Sequence, residues 1–258
     1  MKVTRLSTTP VKGLALHHPD SVEVASGGVV GDRLFHLVDD QGALVSITAP
    51  GGLVALLATF DADSARLVVS EQGAVVAEGS AVAGDPCDAD FFGYKVVPGR
   101  LTPGPWDAVF SARAGKAVRL VMADSPADGH DVEPLSLLGE ASTAALSAAA
   151  GLDDVDGRRF RMLVEFDGAE AHDEDHWNGR YLQVGHTVLE VGGPVQRCVA
   201  TTRNPDTGEI DLKTLTIIGG YRGRQESKFG LGFNFGVYAR CVTPGVIRLG
   251  DPLTLLSD

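Results

Sequence analysis

Short stretches that alternate apolar and polar residues recur along most of the chain and predict β-strands. Within the first 60 residues, SVEVA and RLFHLV alternate in this way, and turn signals follow at Gly27-Gly28 and at residues 39–42. In ARLVVSEQGAVVAEG, an apolar run, a turn and a second apolar run predict a hairpin. The stretches RRFRMLVEFDG, RYLQVGHTVLEVGGPVQRCVATT and VYARCVTPGVIRLGDPLTLL predict further strands in the last hundred residues.

Two segments depart from this pattern and predict helices. A short helix is expected from Trp106 to about Ala114. The longer segment, Pro134 to Leu152, is rich in Ala and Leu and stops at Gly151. Because strands outnumber helices, we predict a strand-dominated α+β fold with a β-barrel-like core. The turn-rich stretch PGRLTPGP marks a candidate domain boundary near residue 100.

Composition and charge narrow the classes of function. A hydrophobic fraction of 44% in 258 residues suits a globular protein with a substantial core. A net charge of −12 without a basic run argues against nucleic-acid binding and against docking on an anionic membrane. The N-terminus lacks the apolar region of a secretory signal, and LVALLATF is shorter than the ~20 residues that a membrane span needs. We therefore expect a cytoplasmic protein that binds neither nucleic acid nor membrane.

Familiar catalytic and metal-binding motifs are absent from the sequence. There is no P-loop and no GxSxG nucleophile elbow. HDEDH places His172 and His176 four residues apart, but an aspartate stands where the zinc-protease motif requires glutamate. We interpret this segment as an acidic surface loop anchored by Trp177. The three cysteines form no CxxC pair and no even-numbered disulfide framework, which indicates a reducing compartment.

Cys198 is the candidate reactive residue. It lies in VQRCVATTRNPDTGEID, which we interpret as a strand leading into a turn at residues 204–209. Neighbours on a strand point to opposite faces, so a cation that stabilises the thiolate is expected from elsewhere than Arg197. From these residues alone, a buried apolar cysteine remains the alternative.

The same segment resembles the signature of the MOSC domain, named for the C-terminal part of eukaryotic molybdenum-cofactor sulfurases. The resemblance is carried by RCVATTRNPDTGEIDLKTLTIIGGYRG and by the closing FGVYARCVTPGVIRLGDPLTLL. TTPVKGL, GGVVGDRLFHLVDDQGALVS, PLSLLGEASTAAL and RRFRMLVEFDGAEAHDEDHW are similar to the amidoxime-reducing branch of that family. The resemblance implies an N-terminal MOSC-type β-barrel subdomain at residues 1–100 and the MOSC domain at residues 101–258.

The resemblance also implies a molybdenum cofactor, in which a pterin dithiolene carries the metal. Cys198 matches the position of a catalytic cysteine that ligates molybdenum, and a thiolate suits a soft metal. Lys12, Arg33 and Arg161 match cationic positions that hold the cofactor's phosphate and pterin, and Tyr238 matches a position that lines the cofactor. Without the resemblance, the three cations read as solvated surface charges and Tyr238 as a core aromatic.

The chain departs from the family pattern at three places. Gly13 stands where serine is usual, Met162-Leu163 where Pro-Asn is common, and Arg203-Asn204 where Val-Asp usually begins the turn. The first two departures remove polar groups from the expected cofactor contacts. We expect Arg203 to add a cation near the active face.

The implied function is a molybdenum-dependent oxidoreductase that reduces N-oxygenated small molecules such as amidoximes or hydroxylamines. We expect its electrons to come from a separate redox partner of ferredoxin or cytochrome type. Two alternatives stay open. One is a sulfurtransferase or sulfur carrier that uses a Cys198 persulfide, loaded by a partner because the chain has no pyridoxal-phosphate desulfurase domain. The other is a carrier that binds molybdopterin without catalysis.

Overall fold

The computed structural model describes residues 1–257, and strands dominate it. In the first half of the chain the strands are β1 (Lys2–Leu6), β2 (Ser21–Ala25), β3 (Gly28–Val29), β4 (Phe35–Val38), β5 (Leu44–Val45), β6 (Leu56–Asp61), β7 (Arg66–Glu71), β8 (Ala74–Ser80), β9 (Ala89–Phe91), β10 (Lys95–Val97), β11 (Gly99–Leu101) and β12 (Arg119–Ala123). In the second half they are β13 (Leu135–Gly139), β14 (Val164–Asp167), β15 (Tyr181–Val184), β16 (Thr187–Gln196), β17 (Gln225–Ser227), β18 (Gly230–Gly232), β19 (Asn234–Thr243), β20 (Gly245–Arg248) and β21 (Leu253–Leu255). The α-helices of the described residues are α1 (Trp106–Ala114), α2 (Glu140–Ala150) and α3 (Thr214–Arg222). The strand-dominated α+β fold predicted from the sequence is confirmed.

A seven-stranded sheet forms the barrel-like core of the molecule. Its strand order is β1-β14-β13-β19-β16-β15-β21, and β13 and β14 form its parallel pair. The amide of Val3 donates to the carbonyl of Asp251 at 3.0 Å, and the amide of Leu253 donates to the carbonyl of Met1 at 2.9 Å. These bonds connect the two edge strands, so the sheet nearly closes on itself. The apolar residues of its inner face bury one core, in which Leu137, Val164, Leu182, Leu189 and Val237 take part.

A second core lies among the smaller sheets of the first half of the chain. The sheet β11-β12-β4-β5, the hairpin sheet β6-β7-β8 and helix α1 pack around Phe35, Trp106 and Phe110, which are fully buried. Strands from both sides of residue 100 share sheets, since β1 pairs with β14 and β4 pairs with β12. The division of the chain into residues 1–100 and 101–258 stays a prediction.

The predicted helix from Pro134 to Leu152 is wrong over its first residues. Leu135–Gly139 form strand β13, which is held between β14 and β19, and the helix begins at Glu140. Four of these five residues are buried, so the apolar run serves as a central strand rather than as one face of a helix. The predicted end is confirmed, because Gly151 adopts a φ of 66° as the left-handed cap.

Several other predicted elements are confirmed. Helix α1, strand β2 and the hairpin of β7 and β8 have the expected positions. RRFRMLVEFDG is only partly a strand, because Gly157–Phe160 form a 3-10 helix before β14 begins. Helix α3 was not predicted, and it packs against α2. None of the helices formed by residues 1–257 has the length and apolar character that spanning a bilayer would need.

Candidate functional site

One open cleft of about 170 Å³ receives residues from distant parts of the chain. The five site residues predicted from the sequence all line it: Lys12, Arg33, Arg161, Cys198 and Tyr238. They are supplied by loops near β1 and β4, by the segment before β14, by the segment that follows β16 and by β19. The fold therefore brings these side chains together, although their roles toward a cofactor stay predictions.

Cys198 lies just beyond a strand rather than on one, which corrects the sequence interpretation. β16 ends at Gln196, and Cys198 precedes a 3-10 turn formed by Val199–Thr202. The hydroxyl of Thr201 donates to the carbonyl oxygen of Cys198 at 3.0 Å and also bonds the hydroxyl of Thr214 at 2.7 Å. Cys198 is exposed, so the alternative of a buried apolar cysteine is wrong. The backbone that carries the thiol is thus fixed by a buried pair of hydroxyls.

Arg197 is partly buried in the wall of the cleft, and its guanidinium is bound to protein groups. Its Nε donates to the carbonyl of Phe235 at 2.7 Å, and its Nη1 donates to the carbonyl of Phe160 at 3.0 Å. Its Nη2 lies 2.7 Å from the sulfur of Met162. Burial lowers the pKa of Arg197 to about 10. Arg197 was not among the site residues predicted from the sequence, although the Arg-Cys pair is visible there.

Lys12 is 7% exposed and points toward a carboxylate at the cleft. Its Nζ lies 2.9 Å from Oδ1 of Asp131 and donates to the carbonyl of Gly129 at 3.1 Å. Burial lowers the pKa of Lys12, Asp131 opposes this shift, and Arg33 adds to it. Burial raises the pKa of Asp131, but Lys12 and its cationic neighbours outweigh that effect and hold it below its usual range. The two groups therefore form an ion pair in the cleft.

Arg33 and Arg161 have left-handed backbone conformations, which residues other than glycine and asparagine rarely adopt. Their φ angles are 50° and 52°. Arg33 pairs with the buried carboxylate of Asp32, and its Nη2 donates to the carbonyl of Arg161 at 3.1 Å. The Nη2 of Arg161 donates to the carbonyl of Leu14 at 2.6 Å. Burial, followed by the charge of Arg33, lowers the pKa of Arg161 to about 9. Two like charges are thus held close together at one cleft.

His130 lies beside these cations and was not predicted from the sequence as a site residue. It is 4% exposed, and its Nε2 is buried without a hydrogen-bond partner among the described residues. Burial, with the neighbouring charges of Arg33 and Lys12, holds its pKa well below the usual range, so the ring is neutral. No motif surrounds His130 or Asp131 in the sequence, and only the fold brings them to the cleft.

Tyr238 lies on β19 opposite Ser136 of β13, and both residues line the cleft. Burial raises the pKa of Tyr238 to about 12, although Arg197 opposes the shift. Its hydroxyl therefore stays protonated at neutral pH and is available as a donor. Gly13, which also lines the cleft, has a φ of 91°, a conformation that favours glycine over the serine usual in the family.

Arg203 does not supply a cation to the active face, contrary to the sequence expectation. Its Nε donates to the carbonyl of Ile47 at 2.6 Å, its Nη2 to that of Ala49 at 2.7 Å, and its Nη1 to that of Gly208 at 2.8 Å. The side chain instead connects the turn after Cys198 to a loop of the N-terminal half. It stabilises the contact between two walls of the cleft.

The HDEDH segment lies outside the cleft and serves packing. Trp177 is 5% exposed and its ring lies 5.3 Å from that of Phe166, which confirms it as the anchor. The segment is less of a surface loop than expected, because Glu174 is fully buried and accepts a hydrogen bond from Ser142 at 2.8 Å. No group of three or more His, Cys, Asp or Glu side chains suited to hold a metal ion occurs within residues 1–257.

Comparison with known proteins gives one family match and several similar proteins. The profile of the MOSC domain matches residues 124–254. The mitochondrial amidoxime-reducing component 1 of Homo sapiens is 33% identical over 132 residues, which are 50% of this chain and 38% of that protein. The component 1 protein of Xenopus laevis is 34% identical over 127 residues, which are 48% of this chain and 36% of that protein. Among solved structures, the YUAD protein from Bacillus subtilis has a TM-score of 0.46 at 10% identity and covers 98% of this chain and 93% of its own. The matched segments thus span well under half the length of these curated relatives.

Proposed function

The chain belongs to the MOSC domain family, and from this premise we propose that it binds a molybdenum cofactor and reduces N-oxygenated small molecules. The observation that carries the proposal is a group of cations, of which Lys12 is buried and Arg33 and Arg161 are partly buried, next to an exposed cysteine in the same cleft. Support for the reaction comes from the relatives that are named amidoxime-reducing components.

The residues of the cleft fit an anionic cofactor with a soft metal. Four cations, Lys12, Arg33, Arg161 and Arg197, face three carboxylates, Asp32, Asp131 and Glu133. Arg159, which also lines the cleft, is paired with Asp211. The surplus charge and the unpartnered Nε2 of His130 suit a phosphate, whose oxygens accept charge-assisted hydrogen bonds. At the other side of the cleft, the thiol of Cys198 suits molybdenum, because metal coordination favours the thiolate.

In this proposal, Lys12, Arg33 and Arg161 bind and orient the phosphate and pterin, and Cys198 ligates the metal. When bound, the cofactor supplies two electrons that, with two protons, convert the oxygen of an N–O bond to water. The hydroxyls of Thr201 and Thr214 hold the backbone of the cysteine turn. Tyr238 would line the cofactor, and its hydroxyl, protonated at neutral pH, would be available to donate a hydrogen bond to it. The separate redox partner and the cytoplasmic location stay predictions.

The first experiment measures the metal content of the full chain produced in a host that makes molybdopterin. We expect molybdenum close to one atom per chain in the wild type, and loss of amidoxime reduction with an artificial electron donor in Cys198→Ser. Cys241→Ser is the matched control, because Cys241 lies on β19 and does not line the cleft. Wild-type protein without molybdenum would contradict the proposal.

The exposure of Cys198 keeps sulfur transfer as a second candidate, since Cys87 and Cys241 are both partly buried. In that function the Cys198 thiolate attacks the outer sulfur of a partner's persulfide, the partner leaves as its thiolate, and the sulfur now bound to Cys198 passes to an acceptor. A mass increase of one sulfur atom in the wild type, absent from Cys198→Ser, would favour it. Molybdenum without any reduction of an amidoxime would instead favour a carrier.

A further inference from the structure

Three exposed aromatic side chains stand together beside the cleft, and we call them the aromatic rim: Phe92, Tyr94 and Phe229. Their exposed fractions are 51%, 45% and 44%. Phe92 and Tyr94 belong to the turn between β9 and β10, and Phe229 belongs to the turn between β17 and β18. Two hairpins that are far apart in the sequence therefore meet through aromatic rings. Folding does not require these rings to be exposed together, and clustered exposed apolar side chains mark interaction sites.

The backbone at Phe92 is unusual for a bulky residue. The amide of Tyr94 donates to the carbonyl of Phe91 at 3.3 Å and closes a turn whose central residues are Phe92 and Gly93. Both central residues have positive φ, 59° and 77°, a turn in which Asn-Gly is favoured. An aromatic residue is thus held in a left-handed conformation, with its side chain exposed at the lining of the cleft. Such outliers concentrate at functional sites.

The rim is attached to the cleft at both hairpins. The hydroxyl of Tyr94 donates to the carbonyl of Asp131 at 3.3 Å. The hydroxyl of Ser227, at the base of the second turn, donates to Oε1 of Gln196 at 2.5 Å, two residues before Cys198. Burial, followed by the nearby charges of Asp131, Tyr238 and Cys198, raises the pKa of Tyr94. Hydrogen bonds thus tie both hairpins of the rim to residues that line the cleft.

The ring geometry leaves one open aromatic face at the cleft. The rings of Tyr94 and Phe229 meet edge to face, with centroids 5.4 Å apart and planes at 62°. The ammonium of Lys228 lies 5.4 Å from the centroid of the Phe229 ring and covers one face of that ring. Phe92 lies nearly parallel to Tyr94, with 23° between planes and 6.3 Å between centroids. Of the three rings, Phe92 is the one that lines the cleft itself.

We propose that the aromatic rim selects substrates in which the N-oxygenated group is attached to a flat aromatic ring. The substrate ring packs against Phe92 with support from Tyr94, and the N–O group reaches into the cleft that holds Cys198. Offset-stacked and edge-to-face contacts between rings are favourable beyond the apolar area that they bury. This inference rests on the proposed function and names the substrate class of the same site.

The test compares benzamidoxime with acetamidoxime, which carry the same reacting group and differ in the ring. The central variant is Phe92→Gly, because it removes the ring while glycine favours the left-handed φ, so the turn is retained. We expect its kcat/KM for benzamidoxime to fall about three- to tenfold with that for acetamidoxime unchanged, the range that an aromatic pair supports. Tyr94→Phe, which keeps its ring, is expected to retain the preference. Tyr181→Ala is the control, since Tyr181 is 46% exposed and does not line the cleft.

A binding measurement separates this inference from the proposed function. Saturation-transfer NMR with each amidoxime, without an electron donor, is expected to show stronger binding of benzamidoxime to the wild type and loss of that difference in Phe92→Gly. If neither amidoxime is reduced but this difference is observed, the proposed reaction fails and the rim inference stands. Equal binding of both amidoximes to the wild type overturns the inference. An unchanged preference of Phe92→Gly for benzamidoxime overturns it too. An equal fall in kcat/KM for both substrates belongs to this outcome, because it would indicate that a redox partner docks at the rim.

Discussion

Arg158 and Arg161 are three residues apart and have opposite electrostatic surroundings. Arg158 donates to the carboxylates of both Asp156 and Asp206, with Nη1 to Oδ1 of Asp206 at 2.8 Å, and these hydrogen bonds raise its pKa. Arg161 has the carbonyl of Leu14 as its hydrogen-bond acceptor, and burial and Arg33 lower its pKa to about 9. The same residue type therefore occurs in one segment both with directly bound carboxylates and without one, although the charges of Asp32 and Asp131 lie near Arg161.

This difference distinguishes arginines whose charge is paired within the protein from arginines whose charge is available to bind an anionic ligand. A buried cation without a carboxylate costs stability, so its presence is explained when an anion completes its surroundings. Strongly perturbed pKa values also concentrate at functional sites. Arg158 faces protein partners and serves structure, whereas Arg161 faces the cleft and serves binding in the proposed function.

The largest expected effect comes from Arg161→Asn, because asparagine tolerates the left-handed backbone and removes the charge. Loss of a charge-assisted contact to phosphate is expected to weaken cofactor retention by about ten- to a hundredfold. The measurement is molybdenum and pterin content after dialysis. In parallel, inorganic pyrophosphate should raise the melting temperature of the cofactor-free wild type more than that of the variant. Equal retention of the cofactor by both proteins would show that Arg161 does not hold it.

Arg203→Met tests an arginine that protein carbonyls satisfy fully. The variant leaves the carbonyls of Ile47, Ala49 and Gly208 without their donor, so we expect a loss of about 1–3 kcal/mol in the free energy of unfolding. Urea unfolding of the cofactor-free protein measures it. The matched control is Arg66→Met, whose side chain is 56% exposed and pairs with Glu78 at the surface. A similar small effect for both variants would contradict the assignment of Arg203 as the connection between the two cleft walls.

The sequence predicted local elements well where local patterns decide them. Helix α1 and strand β2 follow from short apolar periodicities and nearby turn residues, and the family motifs brought five residues to one cleft. The start of α2 was wrong because Leu135–Gly139 pair with strands that arrive from residues 164–167 and 234–243, which local propensity does not register.

Only those site residues that belong to recognisable sequence motifs could be predicted from the sequence. Cys198 and Arg161 belong to recognisable segments, whereas His130, Asp131 and Phe92 enter the cleft through contacts between distant loops. The expectation for Arg203 failed for the same reason. Its acceptors lie more than 150 positions earlier in the chain, apart from Gly208, so no local pattern could show that its charge is directed at carbonyls.

A smaller effect is expected in the pH dependence of stability, which again depends on the surroundings of Arg161. The unfolded chain keeps the Arg161 proton to a higher pH than the folded chain without cofactor, in which the pKa of Arg161 is about 9. The unfolded state therefore binds more protons above pH 9, and the free energy of unfolding rises with pH there. The free energy of unfolding of the wild type, relative to that of Arg161→Asn, should rise by about 1 kcal/mol per pH unit just above pH 9. Parallel stability curves for the two proteins between pH 8 and 10 would contradict the lowered pKa.

The smallest expected effect is that of Arg158→Gln, the counterpart of Arg161→Asn in the same segment. Its ion pairs with Asp156 and Asp206 are partly solvated, so their loss should lower the free energy of unfolding by only about 0.5 kcal/mol. Molybdenum retention should equal that of the wild type, because Arg158 does not line the cleft. Raising the salt concentration should shrink the stability difference further, since screening weakens exposed pairs. If Arg158→Gln lost the cofactor as Arg161→Asn is expected to, the distinction between satisfied and unsatisfied arginines would have no functional meaning in this protein.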